Sequence, residues 1–284
     1  MFNSNMFQSI KAALTKEEGK GSGLYTEILK TTPGNTYTVR LLPYSKDPSK
    51  TFFHHYTHGW NSFATGEYVQ ALSPTTFNER DPISEERFRV MRTGTDDKKS
   101  RMGAVRRSEK WLVNVYVVED PSNPENNGKV KILRYGKQLQ KIIMEAIEGD
   151  DSEEYGEKIF DLGPNGVSFK IKVEQQGEYP TYVASRFTTS SKIKLSDEEQ
   201  ERIYNSVYDL TQVNNVKSYD ELKQMIDDHI YVNLEGAQTT TSSSMSKSPS
   251  VPVREKVQTS AVVETPVSVA TSVEDDIDEL LKDL

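Results

Sequence analysis

Basic residues are concentrated in one stretch of an otherwise acidic chain. The formal net charge is −8, yet between positions 87 and 110 the sequence carries nine lysines and arginines against three acidic residues. Cations at this density suit the phosphates of a nucleic acid, although a charge run is also typical of a solvated surface. The nine are Arg87, Arg89, Arg92, Lys98, Lys99, Arg101, Arg106, Arg107 and Lys110.

Aromatic residues accompany the basic stretch. Binding of single strands without sequence preference combines cations along the backbone with flat rings on which bases stack, at roughly 1–3 kcal/mol per base. Trp111 adjoins the stretch, and Tyr116 follows on the same predicted strand. Side chains of a strand alternate between its two faces, so these rings fit either a binding surface or a core.

The sequence contains few features that would support metal binding or catalysis. The chain has no cysteine, which excludes disulfides, thiolate zinc sites and cysteine nucleophiles. Three histidines lie close together in the sequence: His54, His55 and His58. No glutamate lies between them as the metalloprotease motif requires, and we expect no bound metal. No glycine-rich phosphate loop or nucleophile elbow occurs. A metal-dependent nuclease stays open, because scattered carboxylates could converge in space.

Strands are expected to come first along the chain and helices last. Residues 37–42, 111–118, 129–135 and 167–173 are predicted strands, of which the second and third form a hairpin around a Pro/Asn/Gly turn. Residues 139–147 have helical spacing, and Ser196 with Glu199 and Ser218 with Glu221 predict two capping boxes. This order favours a mainly β, α+β fold with a barrel-like core and added helices.

Four segments are expected. Residues 1–23 form an arm whose apolar residues dock either on its own core or on a neighbouring molecule, and residues 24–235 form the core. The Ser/Thr/Pro-rich linker, 236–273, is expected to be disordered. Residues 274–284 are acidic and amphipathic, which fits a solubilising tail or a partner-binding motif. The self-association candidates of the arm are Met6, Phe7, Ile10 and Leu14.

Nothing in the sequence indicates a membrane or an export route. No apolar run is long enough to span a bilayer. Residues 1–5 lack the basic-then-apolar pattern of a secretory signal. A cytoplasmic location is therefore expected.

Motifs along most of the chain resemble the T-even-type bacteriophage single-stranded DNA-binding, or helix-destabilising, protein family. The hairpin and the C-terminal segment are the most specific parts. The hairpin residues are Trp111, Asn114, Val117, Val118, Asp120, Pro121, Pro124, Glu125, Asn126, Gly128, Lys129, Val130, Arg134, Gly136 and Lys137. Residues 39–43, 58–60, 182, 185–187, 218–222 and 275–284 also fit.

The resemblance implies an oligonucleotide-binding (OB) barrel core with DNA in a cationic, aromatic-lined cleft. It also implies cooperative coating through the arm and recruitment of replication, recombination and repair proteins through the tail, in the cytoplasm of the infected host cell. Candidate partners are a polymerase, a helicase loader and a recombination mediator. The tail residues concerned are Asp275, Asp276, Ile277, Asp278, Glu279, Leu280, Leu281, Asp283 and Leu284.

Two features depart from the family pattern. The family core carries zinc on one histidine and three cysteines, where this chain has His58, Ala71, Asp81 and Ser84. We therefore expect no zinc and a loop held by packing. The basic motif near the start of the family arm is replaced by residues 3–5, Asn-Ser-Asn, so weaker or more hydrophobic cooperativity is expected.

The leading hypothesis is thus a non-enzymatic protein that coats single-stranded DNA. A nuclease with the same cleft and a pure adaptor that acts through its tail are the alternatives. DNA is preferred over RNA only through the resemblance. The expected phosphate contacts are Arg106, Arg107, Lys110, Arg134, Lys137 and Arg186. The expected stacking residues are Tyr135, Tyr179, Tyr182 and Phe187.

Overall fold

A seven-stranded antiparallel sheet, a two-stranded sheet and five α-helices form the part of the chain that the structure, a computed structural model, describes: residues 23–189 and 193–232. The strands are β1 (Thr36–Leu42), β2 (Phe52–Asn61), β3 (Tyr68–Leu72), β4 (Arg106–Glu119), β5 (Val130–Tyr135), β6 (Ser168–Lys172), β7 (Glu174–Gln176), β8 (Tyr179–Thr181) and β9 (Arg186–Thr188). The helices are α1 (Pro82–Thr93), α2 (Asp96–Gly103), α3 (Lys137–Glu148), α4 (Asp197–Asn205) and α5 (Tyr219–His229). The predicted α+β class is confirmed.

Strand β4 is the centre of the large sheet. It is 14 residues long and pairs with three other strands, in the overall order β3-β2-β4-β1-β6-β9, with β5 also on β4. Its first half pairs with β2, its second half with β1, and its middle with β5. The predicted hairpin of β4 and β5 is confirmed, although β4 begins five residues earlier than the aromatic and β-branched pattern indicated.

Two hydrophobic cores share one face of this sheet, which we call the inner face. Val113, Val115 and Val117 of β4 point into the first core, together with residues of β1, β5, β6 and α3. The second core lies at the other end of the strands, where Trp60 packs with residues of α1, α2 and α5. Val105 belongs to the second core and Val113 to the first, so positions 107, 109 and 111 lie between the two cores.

Local sequence signals explain where the helices begin. Both predicted capping boxes are confirmed: Ser196 with Glu199 starts α4, and Ser218 with Glu221 starts α5. Helices α1 and α2 were not predicted, because charged residues dominate them. The side chain of Asp81 caps α1 by accepting from two backbone N–H groups, and a proline follows it.

The predictions for the arm candidates, the linker and the tail concern residues that the structure does not describe. The described residues include neither the linker, 236–273, nor the tail, 274–284, nor the arm candidates Met6, Phe7, Ile10 and Leu14. Within residues 23–189 and 193–232, no helix combines the length and the apolar character needed to cross a membrane.

Candidate nucleic-acid interface

A row of aromatic rings crosses the inner face of the sheet between the two cores. His54 of β2 lies directly opposite Trp111 of β4, which lies opposite Tyr135 of β5. The rings of His54 and Trp111 stack with centroids 4.7 Å apart, and Tyr56 meets His54 edge-on at 4.8 Å. Cross-strand pairing therefore builds a continuous ring surface, which we call the ladder.

The outer part of the ladder is accessible, and its inner end is not. His54 is exposed, Tyr56 and Trp111 are half-buried, and Tyr135 is only 4% exposed. Trp111 packs over Tyr135 at 6.2 Å. The first three rings therefore reach the surface, where a base could stack on the outermost ring or lie against the ring edges, while His54 and Tyr135 cover the faces of Trp111.

Two predicted stacking residues belong to the core instead, which corrects the prediction for them. Burial raises the pKa of Tyr135, whose hydroxyl donates to Gln140 Oε1 at 3.0 Å. Phe187 is 5% exposed and stacks on Phe169 at 4.5 Å. Both rings sit on strand positions that face the first core, so neither offers a face to a base. Their aromatic character alone could not reveal which face they occupy.

Cations flank the ladder on the same face. The Arg107 guanidinium lies 3.9 Å from the centroid of the Tyr56 ring and donates to Thr75 Oγ1. Lys137 Nζ lies 3.1 Å from Glu109 Oε2, and Glu109 also contacts His54 of the ladder. These two predicted phosphate contacts therefore lie beside the accessible rings, and single-strand binding combines cations and rings in this way.

A second group of predicted residues continues from the start of α3. The N–H of Tyr182 donates to Gln138 Oε1 at 2.9 Å, next in sequence to Lys137. Arg186 lines a surface pocket with Lys141 one turn further along α3. Tyr182 is half-buried, whereas Tyr179 is 75% exposed on β8. Lys137, Tyr182 and Arg186 are thus brought to neighbouring positions.

Three other predicted phosphate contacts point to the opposite, outer face. Lys110 and Arg134 alternate with ladder residues on their strands, and side chains of a strand alternate between faces. Burial lowers the pKa of Lys110, and nearby Arg134 lowers it further. Arg134 donates to the Tyr25 hydroxyl at 2.9 Å. Arg106 pairs with Gly59 and is exposed, so these three residues are separated from the ladder by the sheet.

Much of the basic stretch holds the helices together. Arg101 donates to the carbonyls of Ile230 and Val232, and Arg87 donates to the carbonyl of Val105. These contacts tie α1 and α2 to the sheet and to the end of α5. The sequence run therefore overstates the cationic surface available to a ligand.

A buried polar network occupies the positions at which the resemblance implied zinc. His58 Nε2 lies 2.7 Å from Asp81 Oδ2, and both side chains are at most 4% exposed. Asp81 also accepts from Ser73 Oγ, from Ser84 Oγ and from two backbone N–H groups. Burial alone would raise the pKa of Asp81, but the His58 contact and the other donors lower it to about 2.

This network does not fit a structural zinc ion, which needs four nitrogen, sulfur or carboxylate ligands. Ala71 offers no donor, and the Asp81 carboxylate is saturated by protein groups. Across the described ranges, no group of three or more His, Asp or Glu side chains could hold a metal.

Comparison with known proteins identifies the family. The family model described as "gp32 DNA binding protein like" matches residues 34–229. The chain belongs to the gp32-like family. A single-stranded DNA-binding protein of Enterobacteria phage T2 is 28% identical over 238 residues, 78% of this chain and 77% of the relative. That of phage T4 is 29% identical over 193 residues, 65% of this chain and 62% of the relative. The gp32-like match covers the ladder and most residues of both cores.

Proposed function

We propose that this chain binds single-stranded DNA without sequence specificity, along the inner face between the two cores. The observation that carries the proposal is the accessible part of the ladder, Tyr56, His54 and Trp111, with Arg107 and Lys137 beside it. Bases stack on the rings while the backbone phosphates meet the cations. The names of the phage T2 and T4 relatives support the same ligand.

The path of the strand is proposed to continue past the start of α3 to Tyr182 and Arg186, with Tyr179 beyond. Arg106, Lys110 and Arg134 remain proposed phosphate contacts, for a strand that bends around the sheet edge at β5. The proposed core architecture is an OB barrel. The barrel is supported by strand β4, which is long enough to pair with β1, β2 and β5. A strongly curved strand of a barrel pairs with several neighbours in this way.

The wider role is also proposed. The protein coats strands cooperatively through the arm residues Met6, Phe7, Ile10 and Leu14. It melts hairpins by binding the unpaired state, which shifts the melting equilibrium without ATP. Through its acidic tail it recruits a polymerase, a helicase loader and a recombination mediator during viral DNA replication, recombination and repair in the infected cell. No catalysis and no zinc take part, so adding a chelator leaves the midpoint of thermal unfolding unchanged.

The two tryptophans allow a direct test. Trp60 is 2% exposed in the second core, whereas Trp111 lies in the ladder. Oligothymidine should quench the tryptophan fluorescence of the wild-type protein, and duplex DNA should quench it much less. In Trp111→Phe, which keeps a ring in place, the quenching should vanish although binding persists by filter retention.

The outcomes separate the hypotheses. Quenching that persists in Trp111→Phe would place the strand elsewhere. If neither the full-length chain nor a chain without the tail bound oligothymidine at low salt, the adaptor hypothesis would be favoured. Degradation of the DNA in magnesium that a chelator abolishes would favour the nuclease.

A further inference from the structure

Glu109 is an acidic residue in the middle of the proposed DNA site. It lies on the inner face of β4, two positions from Arg107 on one side and two positions from Trp111 on the other. Along β4 the other acidic residue is Glu119, at the far end of the strand. A carboxylate at this position repels a polyanion, so its presence calls for a physical account.

The two oxygens of Glu109 have different partners. Oε1 lies 2.7 Å from His54 Nε2, and Oε2 lies 3.1 Å from Lys137 Nζ. Glu109 therefore connects a ring of the ladder with a cation beside it, and its side chain is 22% exposed. Strand β2 contributes His54 and Tyr56 to the surroundings, α3 contributes Lys137, and β4 itself contributes Arg107.

The carboxylate is charged at neutral pH. Burial by itself would raise the pKa of Glu109, but the contacts with Lys137 and His54 lower it overall. Lys137 is thus paired with a carboxylate of the protein when no DNA is bound. A phosphate of the strand must compete with Glu109 for this ammonium group.

We propose that Glu109 is a built-in counter-anion, which competes with a DNA phosphate for Lys137 and thereby limits the affinity of the site. This inference rests on the proposed function. When a phosphate takes Lys137, Glu109 keeps its hydrogen bond to His54, so the imidazole stays stacked on Trp111. When the strand leaves, Glu109 recaptures Lys137, which favours release of the DNA.

The test uses the full-length chain and the isosteric substitution Glu109→Gln, with oligothymidine as the probe. Partly exposed ion pairs are weak, so removing the competing charge should tighten binding roughly twofold to fivefold at low salt. Because Lys137 then contacts a phosphate in a larger share of the complexes, the salt dependence should steepen by up to about 0.7 in log–log slope. Glu119→Gln, the matched control on the same strand, should change neither quantity.

A double-mutant cycle identifies the partner. Lys137→Ala should weaken binding more in the Glu109→Gln background than in the wild type, because the competitor is absent. Equal losses in the two backgrounds, or unchanged or weaker binding by a natively folded Glu109→Gln protein, would overturn the role of Glu109 while the proposed function stands. Loss of oligothymidine binding by the wild type itself would refute the proposed function instead.

Discussion

At the scale of single residues, the face of the strand separates cations beside the ladder from cations on the opposite side of the sheet. Arg107 and Arg134 are both exposed arginines next to an aromatic ring. Arg107 adjoins the ladder, whereas Arg134 pairs with Tyr25 on the outer face. Residue type and exposure do not distinguish the two, but their positions relative to Trp111 do.

Replacing Arg107 with Ala should weaken binding to oligothymidine and reduce the steepness of its salt dependence by about 0.7 in log–log slope, because one phosphate contact is lost. Titrations at several salt concentrations measure this slope. Arg134→Ala is the matched comparison, and a smaller loss is expected for it. An effect of Arg134→Ala equal to or larger than that of Arg107→Ala would move the main path of the strand to the outer face.

Asp81 should make the fold sensitive to acid. Its pKa of about 2 lies below the ordinary aspartate value of 3.8, so the stabilisation is complete above about pH 4 and is lost as the pH falls towards 2. The depression corresponds to roughly 2 kcal/mol. Denaturant unfolding between pH 7 and pH 2 should show this loss in the wild type. Asp81→Asn should have a lower free energy of unfolding at pH 7, and this free energy should change less over the acidic range than in the wild type. If the variant and the wild type lost stability in parallel as the pH falls, the role of Asp81 would be contradicted.

At the scale of elements, the strands and the capped helices could be predicted from the sequence. The covered face of each strand and the helices rich in charged residues could not. The β4–β5 hairpin was predictable because β-branched and aromatic residues flank a Pro/Asn/Gly turn. The sequences of helices α1 and α2 show no helical spacing of apolar residues, because few of their side chains reach the second core. Tyr135 was assigned to the wrong role because alternation predicts two faces without telling which one is covered.

The capping box of α5 gives a prediction at this scale. The N–H of Ser218 donates to Glu221 Oε2 at 2.7 Å, while Ser218 Oγ accepts from the N–H of Glu221. Ser218→Ala should lower the free energy of unfolding by about 1 kcal/mol, measured by denaturant titration. Because Leu222 and Ile226 of α5 pack in the second core, the loss should appear in global unfolding. Ser218→Asp, which can still cap, should restore most of it.

At the scale of the whole molecule, an acidic chain is proposed to bind a polyanion by separating its charges. The net charge of −8 includes a strongly acidic end, in which residues 274–279 carry five carboxylates and no base. Cations gather instead around the ladder and the start of α3. Overall charge therefore could not have predicted the ligand, and local placement decides it.

Deleting residues 274–284 should leave binding to oligothymidine intact or make it tighter, most clearly at low salt where long-range repulsion is least screened. Titration of the full-length and shortened chains side by side measures the difference. A shortened chain that no longer binds oligothymidine would show that the tail belongs to the DNA site itself.

The pairing of β4 on both sides has a consequence for the thermodynamics of association. The ladder stands on β2, β4 and β5, whose backbone hydrogen bonds connect the three strands along the row of rings. Amides in this row should exchange with deuterium only through the most global openings of the fold. The protein surface proposed to meet the bases is then rigid before they arrive. The entropy lost on association should therefore come mainly from the flexible DNA strand.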